Sequence, residues 1–126
     1  MSEIETSLIG FSRGDASGDT FYASNPATGK ELVAAYASAA DAEVDRAAEL
    51  AEKAAGSLAG LSGAEKAKFL RAVADNVDGI VEDLVSIVTS ETGLPEPRVR
   101  GETGRTSGQL RLFADLVEEG SWVDAR

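Results

Sequence analysis

Apolar and polar positions follow two different spacings along the chain, and the change falls near residue 38. Before it, Phe21 to Ala23 and Leu32 to Tyr36 predict the two arms of a β-hairpin. The connection, residues 25–30, holds a proline that fixes φ and Gly29, which can adopt the positive φ of a chain reversal. These features predict a hairpin near the N-terminus.

After the hairpin, apolar residues recur every three or four positions, which is the spacing of amphipathic helices. Ser38 with Asp41 three residues later is an N-cap pattern, and Ser62 with Glu65 is a second one. The four apolar stripes comprise Val44, Ala47, Ala48, Ala51, Ala54, Ala55 and Leu58; Ala67, Leu70, Val73, Ala74 and Val77; Leu84, Ile87 and Val88; and Leu110, Phe113, Ala114 and Val117. The stripes predict four helices with one inward face each.

Glycine and proline mark the predicted ends of the last two helices. The third helix stops at Gly93, with Pro95 just beyond it. A segment punctuated by glycine and arginine, residues 101–108, leads into a fourth helix that begins at Gln109 and ends at Gly120. The predicted fold class is therefore mainly α, with an N-terminal β-hairpin and about four amphipathic helices.

The chain divides into a short lead-in and one helical region. Residues 1–19 have little core-forming pattern and predict a loose or weakly extended segment, whereas residues 20–126 contain the hairpin and the helices. A lone two-stranded hairpin is only marginally stable in water. We therefore expect the hairpin to need a larger partner surface.

Composition excludes several kinds of chemistry. The 126 residues include no cysteine and no histidine, which excludes thiol nucleophiles, disulfides, histidine bases and the usual ligands of zinc, haem and iron–sulfur sites within this chain. The net charge of −10 argues against nucleic acid and anionic membranes as partners. No apolar run reaches the length of a membrane span and the N-terminus lacks a signal-peptide pattern, so we expect a cytoplasmic protein.

The glycines at 101, 104 and 108 are the most informative local feature, because glycine lowers helix stability by about 1 kcal/mol relative to alanine. They do not form a phosphate-binding loop, since the segment lacks the Gly-Lys-Ser/Thr ending. One interpretation is close packing against a neighbouring helix. The other is that Arg105, flanked by bare backbone, turns into a cavity and binds a carboxylate through its planar fork.

Four segments in order resemble the N-terminal region of the NAD(P)-dependent aldehyde dehydrogenases. They are NPATGKEL (25–32), the alanine-rich helix that starts at residue 38, AEKAKFLRAVADNVDGIVEDLVSIVTSETGLP (64–95) and GETGRTSGQLRLFADLVEEGSWVDAR (101–126). The last is most similar to the branch that oxidises 2-oxoglutarate semialdehyde, often with NADP. The resemblance covers nearly the whole chain from about residue 20.

This resemblance implies that the chain is a truncated piece of the α/β aldehyde dehydrogenase fold, incomplete at its C-terminus. In that family these helices precede the Rossmann strands, and the catalytic cysteine, glutamate and asparagine lie further along. No catalytic or cofactor-binding residue is therefore assigned here, and we expect the chain alone to be inactive and to bind no cofactor. The parent would use NADP or NAD, act on a small-molecule aldehyde, join this segment to the remainder of its chain and form a homo-oligomer.

The family also implies a cation site. Its members often bind a monovalent cation between backbone carbonyls just before the Asn-Pro of the hairpin and an acidic residue two positions before Gly-x-Pro. In this chain those positions are Ala23, Ser24 and Glu91. The alternative is that Glu91 only ends a helix, where a negative charge is mildly unfavourable.

The last helix implies a second site, because in the family it lines the substrate entrance. Arg105, Gln109 and Phe113 lie at helical spacing on it. A competing interpretation pairs Arg105 with Glu102 as a surface ion pair worth at most about 1 kcal/mol.

A different class of function is also compatible with the residues. The chain could be a stand-alone helical module that binds a partner through its alanine-rich stripes and catalyses nothing. The two readings differ in whether the coding sequence continues past Arg126 into Rossmann strands and a cysteine.

Overall fold

A computed structural model describes residues 4–123, which form two compact units that divide between Ala59 and Gly60. These residues form two small antiparallel strand pairs and four α-helices, so the predicted fold class is confirmed. The prediction of a boundary between residues 19 and 20 stays a prediction. Over the described range, no helix has the length and apolar character needed to cross a membrane.

The predicted hairpin is present as β3 (Thr20–Asn25) and β4 (Lys30–Ala37), which pair antiparallel. Gly29 has a φ of 68°, which L side chains rarely adopt, and it closes the turn as expected. The Asn25 carboxamide oxygen accepts a hydrogen bond of 2.9 Å from the backbone N–H of Ala27, so the asparagine stabilises the turn that it begins.

A second hairpin makes the lead-in, predicted to be loose or weakly extended, more regular than expected. β1 (Leu8–Ile9) pairs with β2 (Ser12–Arg13) through a turn in which Gly10 has a φ of 62°. Before it, both backbone groups of Glu5 bond to β4. Its N–H donates to the carbonyl of Ala35 at 2.8 Å, and its carbonyl accepts from the N–H of Ala37 at 2.9 Å. Backbone hydrogen bonds stabilise this segment, because it has few apolar side chains to bury.

The first helix, α1 (Asp41–Gly60), begins later than the predicted N-cap. Ser38 was expected to cap it, but the Ser38 backbone N–H instead donates to the carbonyl of residue 19. Glu43 takes over the reciprocal part of the cap, because its carboxylate accepts a 2.9 Å hydrogen bond from the backbone N–H of Ala40. The N-cap prediction at Ser38 is therefore wrong.

The apolar stripe of α1 has no buried residue in the structure. Val44 is 58% exposed and Leu58 is 47% exposed. The inward face predicted for this helix is therefore left uncovered by the described residues. In the middle of the helix, Leu50 approaches Gly10 of the first hairpin, so a side chain at residue 10 would be crowded.

The ends of the second and third helices follow the predicted signals. Ser62 caps α2 (Gly63–Gly79) in a complete capping box: the Glu65 backbone N–H donates to the Ser62 hydroxyl, and the Glu65 carboxylate accepts from the Ser62 backbone N–H. The third helix, α3 (Val81–Thr92), ends at Gly93, whose φ of 71° provides the left-handed cap.

The fourth helix begins well before its predicted start at Gln109. α4 (Glu96–Glu119) is one continuous helix, so the glycine-rich residues 101–108 lie inside it rather than before it. Its first turn contains a proline, which is favourable there because the early N–H groups have no helical partner. The predicted end at Gly120 is confirmed by its φ of 80°. Three glycines have therefore not broken the helix.

Small residues form the core of the second unit, where α4 packs more extensively on α2 than on α3. Ala67 and Ala74 of α2 and Ala114 of α4 are fully buried. Val99 is 4% exposed, so it also belongs to this core. Alanines allow the two helix backbones to approach closely.

We expect alanine at Gly101, Gly104 and Gly108 to raise the free energy of unfolding of this chain by about 1 kcal/mol per site. The reason is that a Cβ at each of these positions would meet no atom within 4 Å. Gly63→Ala is the matched control, because its Cβ would overlap the carbonyl oxygen of Val117 and should destabilise the chain. Urea unfolding of the four single variants measures both effects, and destabilisation at the three α4 sites would contradict the prediction.

Candidate functional site

The predicted entrance residues lie on one face of α4. Arg105, Gln109 and Phe113 are spaced by four residues along an unbroken helix, so they spread over only about 80° of its circumference. All three are exposed. The buried positions of α4, among them Thr103 and Ala114, lie on the opposite side, about 160–180° from Arg105. The site face and the packing face of the helix are therefore separate.

Phe113 was also predicted to point inward, and that prediction is wrong, because it is 50% exposed. Its neighbour Ala114 is fully buried, and successive helical residues point about 100° apart. Phe113 therefore lies at the edge of the packing face, with much of its ring on the side of Arg105.

Arg105 takes part in a small charged cluster on this face. Its guanidinium contacts the Glu102 carboxylate at 2.9 Å, and its side chain is 67% exposed. Arg98 contacts the other Glu102 oxygen at 2.7 Å. The pKa of Glu102 is lowered, mainly by the hydrogen bond from Arg105 and further by the charges of Arg105 and Arg98. Arg105 thus has the ion pair that the competing interpretation predicted, and its long, exposed side chain leaves room for a second acceptor.

The glycines flank the arginine on one side of the helix. Gly101, Gly104 and Gly108 expose bare backbone next to Arg105, and no atom lies near the place of a side chain at any of them. The predicted close packing of a neighbouring helix on these glycines is therefore absent among residues 4–123. What remains is a strip of α4 on which another molecule or chain segment could approach the backbone closely.

The residues predicted to bind a cation lie in both units. Ala23 is half-buried at an irregularity in β3, where the pairing register shifts between Tyr22 and Ser24. Ser24 is exposed and pairs with β4. Glu91 is half-buried in the last turn of α3. A β-bulge redirects backbone groups out of the ladder, which suits a carbonyl ligand, and the cation site stays a prediction.

The described residues do not form a dinucleotide-binding unit or a metal centre of side chains. Their paired strands are two antiparallel ribbons, whereas a Rossmann unit needs parallel strands joined by a helix. Within residues 4–123, no group of three or more acidic, histidine or cysteine side chains could hold a metal ion. No chemical step through NAD(P) is therefore assigned to the described residues.

One cavity was not predicted. It lies between the start of α2 and the end of α4 and has a volume of about 380 Å³. It is lined by Gly63, Ala64, Lys66, Val117, Glu118, Gly120, Trp122 and Val123. Trp122 is 60% exposed, so the cavity is an open depression beside an aromatic ring rather than an enclosed site. The exposed Trp-Val pair after Gly120 was its only signal in the sequence.

A buttressed carboxylate holds the first hairpin on α1. Glu43 accepts hydrogen bonds from the backbone N–H of Asp15 at 2.7 Å and from that of Ala40 at 2.9 Å. These bonds, the one from Ala40 foremost, and to a smaller extent the charge of Arg46, lower the pKa of Glu43 below its ordinary value of 4.5. Glu43 therefore favours the folded state when it is ionised.

We expect acid to weaken this attachment. Because the folded-state pKa is lowered, the stabilisation by Glu43 is complete above about pH 4.5 and is lost as the pH falls through the lower folded value. The melting temperature of Glu43→Gln should therefore fall less between pH 6 and pH 3 than that of the wild type. The difference between the two falls is the part due to the Glu43 carboxylate. Glu49→Gln, an exposed change on the same helix, is the control. Identical pH slopes for the wild type and Glu43→Gln would contradict the prediction.

Comparison with known proteins places the chain in a family. The family model described as "Aldehyde dehydrogenase family" matches residues 13–123. The chain is an aldehyde dehydrogenase family member. Among solved structures, the NAD-dependent aldehyde dehydrogenase from Sinorhizobium meliloti is similar, with a TM-score of 0.82 and 28% identity over 93% of this chain and 24% of that chain.

Several curated relatives are named as semialdehyde dehydrogenases. The chain is 40% identical over 94% of its length to alpha-ketoglutaric semialdehyde dehydrogenase 2 of Azospirillum brasilense. It is 40% identical over 67% of its length to alpha-ketoglutaric semialdehyde dehydrogenase of Acinetobacter baylyi, and 32% identical over 82% to 5-carboxymethyl-2-hydroxymuconate semialdehyde dehydrogenase of Escherichia coli. The chain spans 23%, 16% and 22% of these aldehyde dehydrogenases, respectively.

Proposed function

We propose that this chain forms the N-terminal portion of an aldehyde dehydrogenase that oxidises an acidic semialdehyde, with 2-oxoglutarate semialdehyde as the leading candidate, to the carboxylic acid. The observation that carries the proposal is the 40% identity over 94% of the chain to an alpha-ketoglutaric semialdehyde dehydrogenase. The oxidant would be NADP or NAD, bound by parts of the enzyme beyond these residues. The chain itself would supply structure and one side of the substrate entrance.

The exposed face of α4 supports the choice of an acidic substrate. Arg105 offers a guanidinium that can bind a carboxylate through two parallel hydrogen bonds, and Gln109 lies one turn further along the same face. The bare backbone at Gly104 and Gly108 lets a ligand approach. We infer that Arg105 and Gln109 contact the distal carboxylate of the substrate, with Phe113 covering the apolar part of its carbon chain.

The remaining partners follow from the same proposal. The exposed faces of these helices would pack on the remainder of the enzyme chain, and the enzyme would act as a homo-oligomer in the cytoplasm. A monovalent cation would bind to the carbonyls of Ala23 and Ser24 and to Glu91. No nucleic acid or membrane is needed, in keeping with the net charge of −10.

The decisive experiment reads the coding sequence past Arg126 and expresses the product. The proposal expects parallel-strand segments, a cysteine and NAD(P)-dependent oxidation of 2-oxoglutarate semialdehyde. Assays with both coenzymes and with neutral aldehydes of the same length define the selectivity. A longer product that oxidises neutral aldehydes at least as well would reject the acidic substrate and keep the enzyme.

The alternative is a stand-alone helical module that binds a partner protein. The exposure of every residue on the apolar stripe of α1 favours it, because such a stripe normally packs against something. A reading frame that closes at Arg126, together with a monomer that melts cooperatively and independently of concentration, would support the module and contradict the enzyme.

A further inference from the structure

The second unit contains the same charge motif twice. Arginine, then an acid four residues on, then another acid three residues later, occurs in α2 and again in α4. The two copies are Arg71, Asp75 and Asp78, and Arg111, Asp115 and Glu118. In a helix this spacing places the three side chains on one face. Each helix therefore presents one positive charge followed by two negative charges.

The arginine of each copy bonds to the acids of the other copy. Arg71 contacts Asp115 at 2.6 Å and Glu118 at 2.6 Å. The reciprocal contacts mirror these, because Arg111 reaches Asp75 at 2.7 Å and Asp78 at 2.8 Å. The helices run antiparallel, so the two clusters are related by an approximate two-fold axis through the pair. All four ion pairs join α2 to α4 and none lies within one helix.

The core between these helices is poorly suited to fixing their axial position. Ala67, Ala74 and Ala114 are fully buried there, and alanine side chains are too short to interlock deeply. A slide by one helical turn, about 5.4 Å, would keep an apolar face against an apolar face. Along these alanines the packing chooses the partner face but distinguishes weakly between adjacent registers. Only at one end of the interface does the close approach of Gly63 to the Val117 carbonyl also favour the observed register.

The charge motif does distinguish them. Sliding α4 by one turn in one direction brings the acids Asp75 and Asp115 opposite each other. Sliding it in the other direction moves Arg71 towards Arg111. Each displacement therefore loses attractive pairs and opposes like charges, which is how charged flanks set the register in coiled coils. Only the observed register satisfies both arginines.

The pKa values of these side chains are shifted by their partners on the other helix. The pKa values of Arg71 and Arg111 are raised, chiefly by hydrogen bonds to their carboxylates. The pKa of Asp78 is lowered, first by a hydrogen bond from the hydroxyl of Ser107 on α4 and then by Arg111. The Glu118 pKa is lowered by Arg71. Because the arginines are about 40% exposed, their ion pairs contribute little to overall stability. Their larger effect is to select one register of α2 against α4.

We propose that the two copies of the motif form an electrostatic lock on the register of α2 against α4, in which Arg71 and Arg111 are positioning residues for the exposed face of α4. A one-turn slide would displace Arg105 by about 5.4 Å along the helix axis. The lock itself stands on the contacts between the helices. Its consequence for substrate selectivity rests on the proposed function of Arg105.

Spin-label distances test the lock directly. The chain has no cysteine, so labels at Lys68→Cys on α2 and Leu112→Cys on α4 report only their own separation. The wild-type background should give one narrow distance. Arg71→Glu with Arg111→Glu should add or substitute a population displaced on the order of 5 Å. Arg98→Gln, which removes an ion pair internal to α4, is the matched control and should leave the distance unchanged.

A six-residue charge reversal completes the test. It changes the sign of every charged group in the two copies and keeps all four cross-helix pairs attractive: Arg71→Asp, Asp75→Arg, Asp78→Arg, Arg111→Asp, Asp115→Arg and Glu118→Arg. The lock predicts that this variant recovers the single wild-type distance. An unchanged distance in Arg71→Glu/Arg111→Glu would overturn the proposal. If that variant does not fold, the reversal decides, and failure to recover the native distance overturns it.

A kinetic arm separates the lock from the proposed function. In the longer enzyme, Arg71→Gln/Arg111→Gln should raise KM for the acidic semialdehyde about tenfold while changing kcat little, and neutral aldehydes should be nearly unaffected. The six-residue reversal should restore KM. A displaced spin-label distance without this change in KM keeps the lock and rejects the role of Arg105. If the coding sequence yields no longer enzyme, the positioning role is rejected, and the spin-label distances alone decide the lock.

Discussion

Arg105→Ala in the longer enzyme is expected to lower kcat/KM for acidic semialdehydes about 10- to 150-fold and to leave neutral aldehydes of similar length nearly unchanged. The range corresponds to one lost charge-assisted hydrogen bond, worth about 1.5–3 kcal/mol. Loss of the ion pair with Glu102 cannot produce this result, because exposed pairs are worth about 1 kcal/mol at most. Such a loss would also affect every substrate alike.

Arg98 provides the control for this prediction. It contacts the same carboxylate, Glu102, from the other side and is similarly exposed, 64% against 67% for Arg105. Arg98→Ala therefore removes a comparable ion pair and should alter neither selectivity nor turnover. Steady-state kinetics on one acidic and one neutral aldehyde measure both variants. Equal losses on the two substrates, or no loss on either, would return Arg105 to a structural role.

The 126-residue chain by itself is expected to show neither dehydrogenase turnover nor NAD(P)+ affinity. It has no cysteine, so the thiolate that the family uses to attack aldehydes has no source within the chain. Its described strands form antiparallel ribbons, which do not present the phosphate-binding turn of a parallel βαβ unit. Both the nucleophile and the coenzyme cradle would have to come from elsewhere.

Calorimetric titration with NADP+ and NAD+, followed by assays of NADPH and NADH formation on a series of aldehydes, measures this expectation. Heat-denatured chain and buffer provide the baselines. Micromolar binding of either coenzyme, or turnover above the denatured baseline, would show that the chain holds a site of its own and would require a different mechanism.

Local signals predicted the helix ends well where a specific hydrogen bond defines them. Ser62 and Glu65 form the expected capping box, and Gly93 takes the expected left-handed cap. The same pattern misled at Ser38, because Glu43 offered a rival cap three residues after Ala40. Pattern alone does not decide between two overlapping cap sites, since the choice depends on where the preceding strand leaves the chain.

The start of α4 was missed for a different reason. Glycines count against a helix by propensity, yet residues 101–108 are helical because Thr103 and Ser107 on the opposite face are buried. Tertiary burial outweighs a propensity cost of about 1 kcal/mol per glycine. The first hairpin was missed because it is held by backbone pairing, although Gly10 with its positive φ was a usable turn signal.

The candidate site could be predicted only as a face. Helical spacing placed Arg105, Gln109 and Phe113 together, and the structure keeps them on one side of α4. The reciprocal ion pairs between α2 and α4 could not be predicted, because they depend on which helices pair and in which direction. The repeated spacing of Arg71 and Arg111 with their acids was nevertheless visible in the sequence.

The short connections around α3 have a consequence for how the second unit folds. Only Ile80 separates α2 from α3, and Gly93 to Pro95 separate α3 from α4. Once α3 is helical, the stretch between the two paired helices has only a few rotatable hinge positions, so closing it costs much less chain entropy than a flexible loop of equal length. The search of α4 for α2 is therefore a hinge motion rather than a diffusive one. Replacing Pro95 with a more flexible residue should therefore slow the folding of the second unit more than removing one of the α2–α4 ion pairs does.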